Sequence, residues 1–134
     1  MPGYAVIGDV DAVGEGVRES LLGERVGVLT VTGGYTEFLY WRSDRLIPVP
    51  AELDPAEAVP LILNYILYGT SFYFMGDKRP FLEDWATLFN LLREGKIKPV
   101  IAKKLPILEA AQANELLESG QVVGSVVLLT PEVS

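Results

Sequence analysis

Partial alternation of apolar and polar residues, together with the turn residues that bound each run, suggests strands around Ala5–Val13, Arg25–Val31, Tyr35–Trp41 and Leu46–Val49. Glycine-containing turns at Gly14/Gly16 and Gly33-Gly34 separate them, so the spacing predicts a small antiparallel β unit. The period then changes. Asp54 stands before Pro55, with Glu57 three residues after it, the residue types that cap and open a helix; this helix is predicted to run to about Tyr68 and to end at Gly69. Phe72–Met75 reads as a short strand. From Pro80 on, Phe81, Trp85, Leu88, Phe89 and Leu92 recur at three- and four-residue spacing, which predicts a second helix with a core-facing stripe, stopped by Gly95. Ile97–Ala102 reads as a strand, Pro106–Glu118 as a third helix closed by Gly120, and the valine-rich Val122–Leu129 as a last strand. The pattern is that of one α+β domain with about three helices. No segment has the composition of a linker, a repeat or a low-complexity tract.

At 134 residues the chain is long enough to bury a single core without staples. It contains neither cysteine nor histidine, which removes disulfides, a thiol nucleophile, the two commonest zinc ligands and the commonest general base. Acid–base work falls to Asp, Glu, Tyr or Lys. The net charge of −7 repels a phosphate backbone, and the one basic run, Lys96 to Lys104, is interrupted by Pro99, so no nucleic-acid role is expected. The longest apolar stretch, Val59 to Leu67, is broken by Pro60 and Asn64 and falls far short of the ~20 residues of a membrane span. A cytoplasmic protein without membrane contact is expected.

Candidate chemistry begins with the acids. Asp9 and Asp11 flank Val10 on one predicted strand, which puts both carboxylates on one face at roughly 7 Å, close enough to raise one another's pKa if that face is buried. Turned outward, they are solubilising charges. Glu37 shares a predicted strand face with Tyr35 and Leu39, and a buried Glu37 needs a cation, for which Arg25 or Arg42 is available. The turn Gly14-Glu15-Gly16-Val17-Arg18-Glu19 lacks the third glycine of a pyrophosphate-binding loop and lies between two predicted strands, so it reads as a hairpin turn.

Several short segments in serial order resemble the medium-chain dehydrogenase/reductase family, in its zinc-independent, quinone-oxidoreductase-like branch. They are Pro2-Gly3-Tyr4, Val13-Gly14-Glu15-Gly16-Val17, Gly23-Glu24-Arg25-Val26, Gly33-Gly34-Tyr35-Thr36-Glu37-Phe38 and Val49-Pro50-Ala51-Glu52-Leu53-Asp54-Pro55-Ala56-Glu57-Ala58. Downstream come Leu91–Ile101, Leu105-Pro106, Glu109–Asn114, Leu117–Gly120 and Gly124–Leu128. The resemblance implies a GroES-like, partly open β-barrel made of residues 1–68 and 72–134, the segments that flank a dinucleotide-binding (Rossmann) domain in the family, with that domain and the family's opening strands absent. It also implies departures: Ala113-Asn114 stands where the family commonly has Ala-His, and Gly124-Ser125 where it has Gly-Lys. Asn64-Tyr65 matches a family stretch lying where cofactor and substrate meet, while Leu67-Tyr68-Gly69 departs from it.

These readings converge on expectations. No nicotinamide cofactor and no metal are expected. An apolar small molecule is expected in a pocket with Tyr35, Trp41, Asn64, Tyr68 and Tyr73 as binding residues and Asp9, Asp11, Glu37 and Tyr65 as candidate catalytic groups. The function expected first is a cofactor-independent cyclase or isomerase of natural-product biosynthesis. A non-catalytic binding or scaffold protein is the alternative, and a redox subunit borrowing a partner's nucleotide domain the third. Strand edges left open in the β unit predict a homodimer.

Overall fold

The computed structural model describes residues 3–66 and 77–131, with side chains as far as 62 in the first stretch. Three strands form an antiparallel sheet: β1 (Ala5–Asp9) pairs with β2 (Arg25–Leu29), which pairs with β3 (Ile47–Pro48). Helix α1 (Pro55–Ile66) follows and lies against β1 and β2. It starts where the sequence predicts, with the Asp54 carboxylate accepting the Ala56 N–H at 2.9 Å. Its approach to the sheet is close, because a Cβ at Gly27 on β2 would overlap the Ile62 side chain.

Helix α2 (Arg79–Arg93) carries the predicted stripe: Trp85, Phe89 and Leu92 are buried, and Phe81 stands with its ring 6.5 Å from that of Trp85. Gly95 closes the helix with φ +70°. Trp85, Phe89 and Leu92 join Leu29, Ile47, Val49, Leu53, Ala58 and Ile62 in one core between the first sheet and the two helices. Strand β4 (Ile101–Pro106), α3 (Ala110–Glu118) and β5 (Ser125–Leu129) complete the chain, with β4 and β5 paired in parallel and α3 packed on both. Three ion pairs tie the later elements to the earlier ones: Lys78 to Asp44 at 3.8 Å, Arg93 to Glu52 at 3.0 Å and Lys104 to Asp54 at 3.4 Å. All are largely exposed and each contributes at most about 1 kcal/mol, so the apolar core holds the parts together.

The architecture is a small α+β domain with three α-helices among the described residues, consistent with a partial GroES-like domain; its two sheets do not close into a barrel. Four expectations need correction. Tyr35–Trp41 is irregular, because Val31 turns the chain with φ +64° and Gly34 packs on the Gly3 backbone, where a Cβ would meet the Gly3 carbonyl oxygen at 2.6 Å. The local bonds of Thr36, from its N–H to Gly34 O and from its hydroxyl to Phe38 O, then replace a ladder. Strand β1 ends at Asp9, so Asp11 lies beyond it: Val10 makes the last contacts across the pair, to Glu24 O and from the Gly23 N–H. The strand predicted at Ile97–Ala102 begins instead at Ile101, past Pro99, and takes in Lys103 and Lys104. The last strand begins at Ser125, after Gly124 with φ +107°, a conformation that only glycine adopts readily against the Val100 carbonyl. The predicted strand Phe72–Met75 lies outside the described residues.

Candidate functional site

The segment Tyr35–Trp41 presents aromatic side chains to solvent. Phe38 is 59% exposed, Tyr40 98% and Trp41 38%, in a run with no strand partner. Tyr35 at its start is half-buried, and that burial raises its phenol above the usual range. The segment is anchored at its base by Gly34 N–H to Gly3 O at 3.0 Å and by the Thr30 hydroxyl, which donates to the same carbonyl. It offers ring faces, the phenols of Tyr35 and Tyr40 and local backbone carbonyls, and it carries one carboxylate, Glu37, which is exposed.

Asp9 is engaged elsewhere. Its carboxylate accepts from Arg25 Nε at 2.9 Å and from Arg25 Nη2 at 3.3 Å, and Arg25 Nη1 donates to the carbonyls of Ala51 at 3.0 Å and Leu53 at 3.2 Å. This guanidinium clamps the end of β1 to the turn before α1; its Asp9 hydrogen bonds raise its already high pKa. The cations expected to serve Glu37 are therefore committed, Arg25 to Asp9 and Arg42 to Asp44 at 2.8 Å. Asp11 is exposed in the turn region after β1, so the two aspartates do not form a pair on one strand face. Asn64 and Tyr65 fall on the last turn of α1, their side chains outside the described set, and Tyr68 and Tyr73 lie outside the described residues altogether.

Two grooves open elsewhere on the surface. One of about 590 Å³ runs between Pro48-Val49-Pro50 and the α2 residues Ala86, Thr87, Phe89, Asn90 and Arg93. The other, about 300 Å³, is lined by Lys104–Leu108 and Leu129–Pro131. Neither contains any of the candidate acids or aromatics named from the sequence. The exposure of Phe38–Trp41 is a feature that alternation along 35–41 did not foretell; the one available signal was four consecutive large apolar residues, which no single face of a strand can bury.

The family model for zinc-binding dehydrogenases matches residues 5–128. The chain belongs to that family. It is a medium-chain dehydrogenase/reductase domain, as its short motifs imply. Among curated relatives, the synaptic vesicle membrane protein VAT-1 homologs of Rattus norvegicus and Mus musculus are each 35% identical over 79 residues, 59% of this chain. The match spans only 20% of the length of those relatives. No solved structure matches the chain. The family's description implies zinc, and the donor set does not fit it: the sequence has no cysteine or histidine, and among the described residues no three carboxylates converge. A dinucleotide does not fit the described residues either. Helix α1 is entered from Asp54-Pro55, α2 from Asp77 and Lys78, and α3 from the short 3₁₀ turn Ile107–Glu109, so none opens from a glycine-rich strand–helix turn. Gly14 to Val17 forms the tight turn after β1, with Val17 N–H on Gly14 O at 3.2 Å. No helix among the described residues is long and apolar enough to cross a membrane.

Proposed function

We propose that this dehydrogenase-family chain is a cofactor-independent, non-redox binding protein for an apolar small molecule, received on the Tyr35–Trp41 face. The observation that supports this reading is the exposure of Phe38, Tyr40 and Trp41 together in the segment that begins with the half-buried Tyr35. Such rings lose little conformational freedom on binding and combine apolar area with a polar tip, the composition of a small-molecule surface. Titration with the neutral fluorophore N-phenylnaphthylamine tests it. Saturable binding is expected, with a loss of about tenfold in affinity in Phe38→Ser and Tyr40→Ser, as for aromatic anchors elsewhere. Calorimetry with NADPH is expected to show no saturable heat. Unchanged probe affinity in both variants, or stoichiometric NADPH binding, contradicts the reading.

A second reading adds turnover, as a cyclase or isomerase of natural-product biosynthesis, with Glu37 on the aromatic segment as the nearest candidate acid and Asp9, Asp11 and Tyr65 as further candidates. It requires that Glu37→Gln abolish conversion of a polyene substrate while leaving its affinity unchanged. The third, a redox subunit completed by a partner's nucleotide domain, rests on family membership and predicts NADPH binding only in the presence of that partner.

A further inference from the structure

We propose that two copies of the chain associate edge to edge through β5, forming an antiparallel β5–β5 seam with its twofold axis at Val127 and a four-strand order β4-β5-β5-β4. The direction of the backbone groups carries the inference. Ser125 N–H donates to Val100 O at 2.8 Å, and β5 pairs with β4 from Ser125 to Leu129, with one register shift that falls on β4 between Ile101 and Lys103 and leaves the alternation along β5 intact. In a parallel strand, alternate residues send both backbone groups to the same neighbour, so Ser125, Val127 and Leu129 face β4 while Val126 and Leu128 face away. Among the described residues no second strand pairs with β5 and no loop backbone hydrogen-bonds to Val126 or Leu128, although α1, α3 and the 3₁₀ turn Ile107–Glu109 approach the strand. Full overlap of the five-residue strand with its twofold mate sets Val126 opposite Leu128 of the partner subunit, and the reverse, giving two rings of paired backbone hydrogen bonds around the Val127 contact.

The edges differ in how they treat a second copy. Full self-overlap of β4 puts Lys103 opposite Lys104 of the partner subunit, a like-charge pairing. Strand β1 has Gly8 inside it and ends on the Asp9 carboxylate, which weakens a self-paired ladder. Strand β3 is two residues long. Strand β5 sits in an uncharged stretch from Ser119 to Pro131 and has no gatekeeping charge at all. The proposed register also sets Val123, 82% exposed, opposite Pro131 of the partner subunit, so apolar surface at each end of the strand is covered by the same operation. A different protein supplying the added strand would make the same backbone bonds, but self-pairing alone matches this strand to its mate in length and covers both ends symmetrically.

Sedimentation velocity combined with amide hydrogen exchange tests the seam. At tens of micromolar the chain is expected to sediment at twice its 14.7 kDa mass, with the Val126 and Leu128 amides protected, and to lose both mass and that protection on dilution. Val126→Pro removes an outward N–H and is expected to give a monomer. Val123→Lys, at an exposed position outside the strand, is expected to weaken the dimer while leaving the far-ultraviolet spectrum intact, which separates loss of the seam from loss of the fold. A monomer at every concentration, a dimer whose Val126 and Leu128 amides exchange freely, or open-ended aggregates in place of a dimer overturns the proposal.

Discussion

Two aromatic groups in this molecule have almost the same composition and opposite fates. On α2, Phe81, Trp85 and Phe89 recur every four residues, and Trp85 and Phe89 are 1% and 0% exposed. In the irregular segment, Phe38, Leu39, Tyr40 and Trp41 are consecutive and all remain accessible. Spacing decides between them. Four-residue spacing stacks side chains on one helical face that can be buried in a single contact, whereas consecutive residues point in divergent directions and no one neighbour covers them. The first group stabilises the fold; the second stays at the surface, where we propose that a ligand binds.

The comparison breaks most visibly in the core. Trp85→Ala is expected to cost about 3–5 kcal/mol of stability, read as a drop in denaturant midpoint, because the cavity opens where α2 meets Ile47 and Ile62. Gly27→Val drives a side chain into Ile62 and is expected to cost about 1–3 kcal/mol, showing that the α1–sheet spacing is set by the missing Cβ. Asp54→Ala removes the α1 cap and the partner of Lys104, with an expected loss of about 1 kcal/mol in the same assay. The smallest effect belongs to the exposed Asp77, whose carboxyl Arg79 lowers from 3.8 to about 2. Its folded pKa lies below its unfolded one, so its contribution is complete above about 3.8 and disappears as pH falls to about 2. Asp77→Asn is therefore expected to flatten the acid limb of the stability curve between those values and to lower stability slightly at neutral pH, where the contribution of the carboxylate is complete.

The α2 stripe, the Asp54 cap, the closing glycines Gly95 and Gly120, and the antiparallel pairing of the first strands were legible because each depends on a local period or a local backbone requirement. Tyr35–Trp41 was not, since alternation describes a strand only where a neighbour supplies the ladder, and Val31 and Gly34 direct the chain into a local turn instead. The parallel pairing of β4 and β5 was equally hidden: it joins residues on either side of α3, and nothing in either strand encodes its direction. The candidate site was read less well than the fold for the same reason. Choosing Asp9 rather than Glu37 as the partner of Arg25 depends on the β1–β2 register, which sets Asp9 directly opposite Arg25.

The chain's two tryptophans, Trp41 at 38% exposure and Trp85 at 1%, allow the central claim to be measured in one experiment. Acrylamide quenching of the native protein should resolve an accessible emission from Trp41 and an inaccessible one from Trp85. If the segment is the binding face, saturating N-phenylnaphthylamine removes the accessible fraction and leaves Trp85 unchanged. If the probe saturates while Trp41 stays fully quenchable, the ligand sits elsewhere and the account of the aromatic segment fails.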